Sequence, residues 1–217
     1  MSIATTETPL AISVDGVTLQ GDLTLPPGAT GLVVFAHGSG SSRHSPRNRH
    51  VAGQLQSGGL GTLLFDLLTL REEAIDERTA QLRFDIELLA GRLVAVTDWL
   101  ALDDRTKGLS IGYFGASTGA AAALIAAAER PDIVRAVVSR GGRPDLAAGW
   151  LPRVQAATLL IVGGRDHPVI EMNEEAFRAL MCVRRMEIVP GATHLFEERG
   201  TLDEVARLAR DWFVANL

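Results

Sequence analysis

The sequence predicts an α/β protein: a mostly parallel, twisted sheet with helices on both faces and an antiparallel hairpin at one edge. Three observations lead there. Short runs that are apolar throughout alternate with longer segments of helical periodicity, as expected for strands buried on both sides. The chain opens on two β-rich runs, Leu10–Val14 and Val17–Leu25, joined by Asp15-Gly16, a strong hairpin signal. The residues with the most chemical potential lie just after predicted strands, where doubly wound sheets place their ligand sites.

Pro26-Pro27-Gly28 stops the second strand. Buried strands are then predicted at Leu32–Ala36, Thr62–Phe65, Ile111–Phe114, Val134–Ser139, Thr158–Val162 and Met186–Val189. Helices are predicted over Arg47–Gln56, Gln81–Leu102, Thr118–Ala128, Val169–Leu180 and Leu202–Asn216. The Ala-rich part of Thr118–Ala128 fits a helix because alanine has the best helix propensity. A length of 217 residues suits one domain, 1–217, and 47% apolar residues supply a core without a disulfide or metal staple.

Composition narrows the function classes. A net charge of −5 without a basic block disfavours nucleic acid, whose binding is driven by phosphate neutralisation. The single cysteine, Cys182, excludes an internal disulfide and suits a reducing compartment. Met1 to Leu10 lacks the basic and apolar regions of a secretory signal, and no apolar run reaches the roughly 18–20 residues that span a bilayer. A cytoplasmic protein, monomer or homodimer, with no membrane partner is expected.

Four strand ends carry the chemistry. After Ile111–Phe114 comes Gly115-Ala116-Ser117-Thr118-Gly119, a G-x-S-x-G sequence in strand–turn–helix context, as a nucleophile elbow requires. Side chains two positions either side of Ser117 are expected to collide with the elbow, hence the glycines. Serine is a weak nucleophile without a base. Of the five histidines, His194 follows the last strand and precedes the last helix, which suits a base reaching over the sheet. Asp166, the first carboxylate beyond Thr158–Val162, is the favoured orienting acid; Asp145 competes, and Asp166 could instead cap the following helix. His37-Gly38-Ser39-Gly40 follows Leu32–Ala36, and the backbone N–H groups of Ser39 and Thr118 are candidate oxyanion donors. The phosphate-cradling G-x-x-x-x-G-K-[ST] is absent, and so is a full G-x-G-x-x-G.

At the HGSG segment, the GASTG elbow, GGRDHPV and GATHLF, the chain resembles the α/β-hydrolase superfamily and, within it, the small dienelactone-hydrolase-like group. The match runs over nearly the whole chain from about Leu10. The resemblance implies an α/β-hydrolase fold of about eight mostly parallel strands and hydrolysis through an acyl-enzyme on a Ser117–His194–Asp166 triad. Dienelactone hydrolases themselves carry a cysteine nucleophile. Ser117 stands in its place here and Cys182 lies far from the elbow, which shifts the expected substrate to a general small carboxylic ester. A thioester, an amide or peptide, or perhydrolysis would use the same triad, and a non-catalytic binding or regulatory protein would keep only its shape.

Two arginine clusters on the same edge, Arg43 with Arg47 and Arg140 with Arg143, are candidates to grip an anionic substrate, together with His37, Gly38 and Gly40 of the oxyanion loop. The alternative is that these arginines pair with Asp66, Asp145 or loop carbonyls. The segment between Val134–Ser139 and Thr158–Val162 is short for a lid, so an open site without a large lid is expected. No metal or organic cofactor is implied.

Overall fold

The computed structural model describes residues 6–217; the first five residues, half of the stretch read above for a signal, lie outside the described residues. Eight strands form one sheet in the order β1-β2-β4-β3-β5-β6-β7-β8: β1 Glu7–Val14, β2 Val17–Thr24, β3 Gly31–Ala36, β4 Gly61–Phe65, β5 Ser110–Ala116, β6 Val134–Arg140, β7 Ala157–Gly163 and β8 Arg184–Val189. β1 and β2 pair antiparallel across Asp15-Gly16, both at positive φ, as the tight turn needs. β2 pairs antiparallel with β4, and β3 to β8 are parallel.

Helices cover both faces. α1 Pro46–Ser57 and α6 Thr201–Asn216 pack on one, burying Val51, Leu55, Val205 and Phe213 against Val33, Phe35, Phe114 and Ile161. α3 Ile86–Leu102 and α4 Thr118–Glu129 lie on the other, with Leu93 and the alanines of α4 against Val34, Tyr113, Val137 and Leu160. Every residue of α4 from Thr118 to Ala128 is buried. Its small side chains let the helix sit close to the sheet, directly behind the residue that precedes it.

The mostly parallel eight-stranded sheet, the edge hairpin and the helices on both faces are those expected from the sequence. Two elements differ. α2, Leu70–Thr79, was not expected; it carries few apolar residues, but Thr69 and Glu72 form a complete capping box that fixes its start. The helix expected from Gln81 begins at Ile86, because Asp85 caps it and Leu82–Phe84 forms a short 3₁₀ turn. Between β6 and β7 the chain winds as a 3₁₀ segment, Pro144–Arg153, which agrees with the expected lack of a large lid. α5, His167–Ala179, completes the set.

Candidate active site

Ser117 sits between β5 and α4 at φ 51° and ψ −120°, a region that L side chains rarely adopt and that costs about 1–3 kcal/mol. The surroundings impose it. The N–H of Ser117 donates to the Arg140 carbonyl at 3.2 Å, and its carbonyl accepts from Arg143 N–H at 3.1 Å, so the end of β6 clamps the turn. The glycines are steric necessities. A Cβ at Gly119 would lie 2.2 Å from the Ala36 carbonyl oxygen, and one at Gly115 would lie 2.5 Å from the Ala120 Cα.

Asp166, beyond β7, and His194, beyond β8, reach the same place. His194 Nδ1 lies 2.6 Å from Asp166 Oδ2, and its Nε2 lies 3.4 Å from Ser117 Oγ. With the ring proton held at Nδ1 by the carboxylate, Nε2 is left as the acceptor for the serine hydroxyl. The second contact is long, near the outer limit of a hydrogen bond. Asp166 occupies the position before α5 but makes no capping hydrogen bond; its carboxylate is taken by the imidazole instead. Asp145, its rival, is held bidentate by Arg143 at 2.8 and 2.7 Å.

The His37-Gly38-Ser39-Gly40 loop lies against the Ser117 turn. Ser39 N–H donates to Thr118 Oγ1 at 3.0 Å, so it is free for another acceptor only when that hydroxyl turns aside. A threonine hydroxyl has one hydrogen and two lone pairs. Accepting from Ser39 therefore leaves the Thr118 O–H as a donor beside its own backbone N–H at the start of α4, where helix amides lack an intrahelical partner. His37 faces inward. Its Nε2 accepts from Leu67 N–H at 3.1 Å while Nδ1 donates to the Gly38 carbonyl at 3.0 Å. Burial holds its pKa below the ordinary 6.5 despite the nearby carboxylates, so the ring is a neutral strut of the loop.

Gly38 and Ser39 line two cavities. One, of about 220 Å³, contains Ser117, His194, Arg47, Asn48 and Arg140. The other, of about 270 Å³, contains His37, Gly40, Asp66, Glu73, Asp76, Glu77 and Arg83, with α2 as its wall. The arginine candidates separate accordingly. Arg43 pairs with Asp66 and lies 3.5 Å from Asp22, and Arg143 pairs with Asp145. Arg47 and Arg140 both line the cavity of Ser117; Arg47 pairs with Glu197 at 3.0 Å, and Arg140 alone of the four lacks a carboxylate partner among the described residues. Asn173 was not anticipated from the sequence. It is fully buried on α5 and donates to the Gly142 carbonyl at 3.0 Å, pinning the turn that clamps Ser117; its place on the apolar face, four residues after Val169, is the signal that marks it.

Comparison with known proteins gives the family and the fold. Residues 25–214 match the model of the dienelactone hydrolase family. A structure described as dienelactone hydrolase from Anabaena variabilis is 62% identical, covers 98% of this chain and 99% of its own, and superposes with a TM-score of 0.97. The esterase domain of a Rhodothermus marinus protein has a TM-score of 0.76 at 20% identity, over 97% of this chain and 99% of its own, a likeness of fold alone. A Mycobacterium tuberculosis protein named "Putative phosphoribosyl transferase" is 59% identical over 201 residues, 93% of this chain; the chain spans 44% of that relative's length. No helix among the described residues is long and apolar enough to cross a membrane.

Proposed function

The chain belongs to the dienelactone hydrolase family, and on that premise we propose that it is a serine hydrolase that cleaves small carboxylic esters through an acyl-enzyme. The observation that carries this reading is the run of two contacts, Asp166 to His194 at 2.6 Å and His194 to Ser117 at 3.4 Å, opening on one cavity.

Ser117 Oγ attacks the ester carbonyl as His194 Nε2 takes its proton. Asp166 stabilises the imidazolium that results. The oxyanion is met by Thr118, through its N–H and its hydroxyl, and by Ser39 N–H once the hydroxyl has turned. The C–O bond then breaks as His194 returns the proton to the leaving alcohol. Water, deprotonated by His194, attacks the acyl-serine, and collapse of the second tetrahedral adduct releases the acid and regenerates the serine hydroxyl.

The test combines labelling with kinetics. A fluorophosphonate probe is expected to modify Ser117, and p-nitrophenyl acetate to be hydrolysed. Ser117→Ala is expected to abolish the label and lower kcat by about 10⁴–10⁶. A variant keeping more than about a tenth of the activity refutes the assignment. Turnover of acyl-CoA or aminoacyl amides in preference to esters favours a thioesterase or amidase on the same residues, and an unlabelled serine favours a non-catalytic protein. The phosphoribosyl-transferase name belongs to a relative of which this chain spans less than half, and nothing in the Ser117 cavity calls for that reaction.

A further inference from the structure

α5 buries Val169, Asn173 and Ala176, and of these Asn173 is the polar one. It is fully buried and its Oδ1 has no partner, so packing alone favours an apolar side chain of similar size at this place. Both amide hydrogens are used. Nδ2 lies 3.0 Å from the Gly142 carbonyl oxygen and 2.8 Å from that of Val169. Two carbonyl acceptors fix which end of the amide is the NH₂. The Gly142 carbonyl and the Arg143 N–H belong to one planar peptide unit. That N–H donates to the Ser117 carbonyl at 3.1 Å. Asn173 and the Ser117 turn therefore hold opposite edges of a single rigid plane, and the plane cannot rotate without breaking one of the two bonds.

The same turn meets the other two groups of the site. A Cβ at Gly141 would lie 3.1 Å from the His194 carbonyl oxygen and 3.6 Å from its Cε1, so the turn backs the imidazole. Asp166 stands at the start of α5, and Asn173 follows about two turns later on the same face. No side chain caps that start, because the Asp166 carboxylate is held by His194. Ser117 itself is strained at φ 51°, a conformation that persists only where its surroundings over-determine it. Resting on the hydrolase reading above, we propose that Asn173 is a positioning residue. Through the 142–143 peptide it keeps the Ser117 turn in register with the helix that carries Asp166, and so sets the reach from His194 to Ser117.

The experiment uses Asn173→Leu, which nearly keeps the volume and removes the donor. Reactive serines are counted by end-point fluorophosphonate labelling, so that kcat is read per labelled site. With p-nitrophenyl acetate, the variant is expected to lose about tenfold to a hundredfold in kcat per labelled serine, with KM within about twofold, and to label more slowly in step. Hydrogen exchange reads the relay without turnover. The Arg143 amide should exchange at least about tenfold faster in the variant, while the amides of β5 and β7 keep their protection. Asn173→Ala removes the same donor with a smaller side chain and should give the same two signatures where leucine does not fold. A lower Tm with kcat per labelled serine within about twofold of wild type makes Asn173 a packing group and overturns the proposal. An Arg143 amide as protected as in wild type overturns it too, and both results leave the hydrolase reading intact. A wild-type chain that neither labels nor cleaves esters, but in which Asn173→Leu still frees the Arg143 amide, upholds the relay and removes the hydrolase reading.

Discussion

The two cavities that share Gly38 and Ser39 treat charge in opposite ways. On the side walled by α2, the buried carboxylates have arginines: Asp76 takes Arg83 at 2.6 Å and its backbone N–H at 3.0 Å, and Asp66 takes Arg43. On the side of Ser117, the buried Arg140 has no acid among the described residues. Paired charges build a wall, while Arg140 stays without a carboxylate among the described residues. The contrast teaches that residue type alone does not tell a paired arginine from an unpaired one, since Arg43, Arg83, Arg140 and Arg143 all stand on the same edge and only one is left over.

The largest effect tests whether the Ser117 side is the reactive one. Asp166→Asn preserves shape but removes the charge behind the imidazole, and kcat is expected to fall about 10⁴-fold; a loss under about tenfold in steady-state assays would break the comparison at its root. The next pair sharpens it by stability. Arg83→Met strands Asp76 and should cost roughly 2–3 kcal/mol in urea unfolding, whereas Arg140→Met removes a cation with nothing to satisfy it and should be neutral or raise stability by about 1 kcal/mol. Equal losses in the two variants would mean that Arg140 is as well paired as Arg83. On the shared rim, Thr118→Val removes the hydroxyl and should lower kcat about 10²-fold, with Thr118→Ser recovering most of it.

The smallest effect is a pH dependence. The folded chain holds His37 below 6.5, while the unfolded chain protonates it near that value. Its contribution is therefore intact above pH 6.5 and declines as acid is added through and below it. Thermal unfolding followed from pH 7.5 down to 5.5 should show a fall in Tm that His37→Gln flattens.

The sheet, its hairpin and the placing of Ser117, Asp166 and His194 at strand ends were legible because hydrophobic runs and local motifs lie within a few residues of one another. What three-dimensional proximity decides was not. The sequence offers Asp66 and Asp145 as partners for the arginines of this edge, but does not show that Arg43 takes Asp66, 23 residues away, while Arg140 meets no acid among the described residues. Sequence leaves Asp166 open between capping α5 and orienting His194, and only the 2.6 Å contact separates the two. Helix α2 was hidden for another reason: its apolar stripe is thin, and the Thr69–Glu72 capping box marks it better than periodicity does.

The helix starts divide along the chain. α1, α2 and α3 open on Ser45, Thr69 and Asp85, whose side chains close the first turn. α4 and α5 open on Ser117 and Asp166, which do not. A missing cap is worth about 1 kcal/mol, so these two first turns forgo stability that the same residue types supply elsewhere. Their amides should be among the first helical ones to exchange with deuterium in the intact protein, which makes local breathing at these two turns an inherited companion of the reactive geometry.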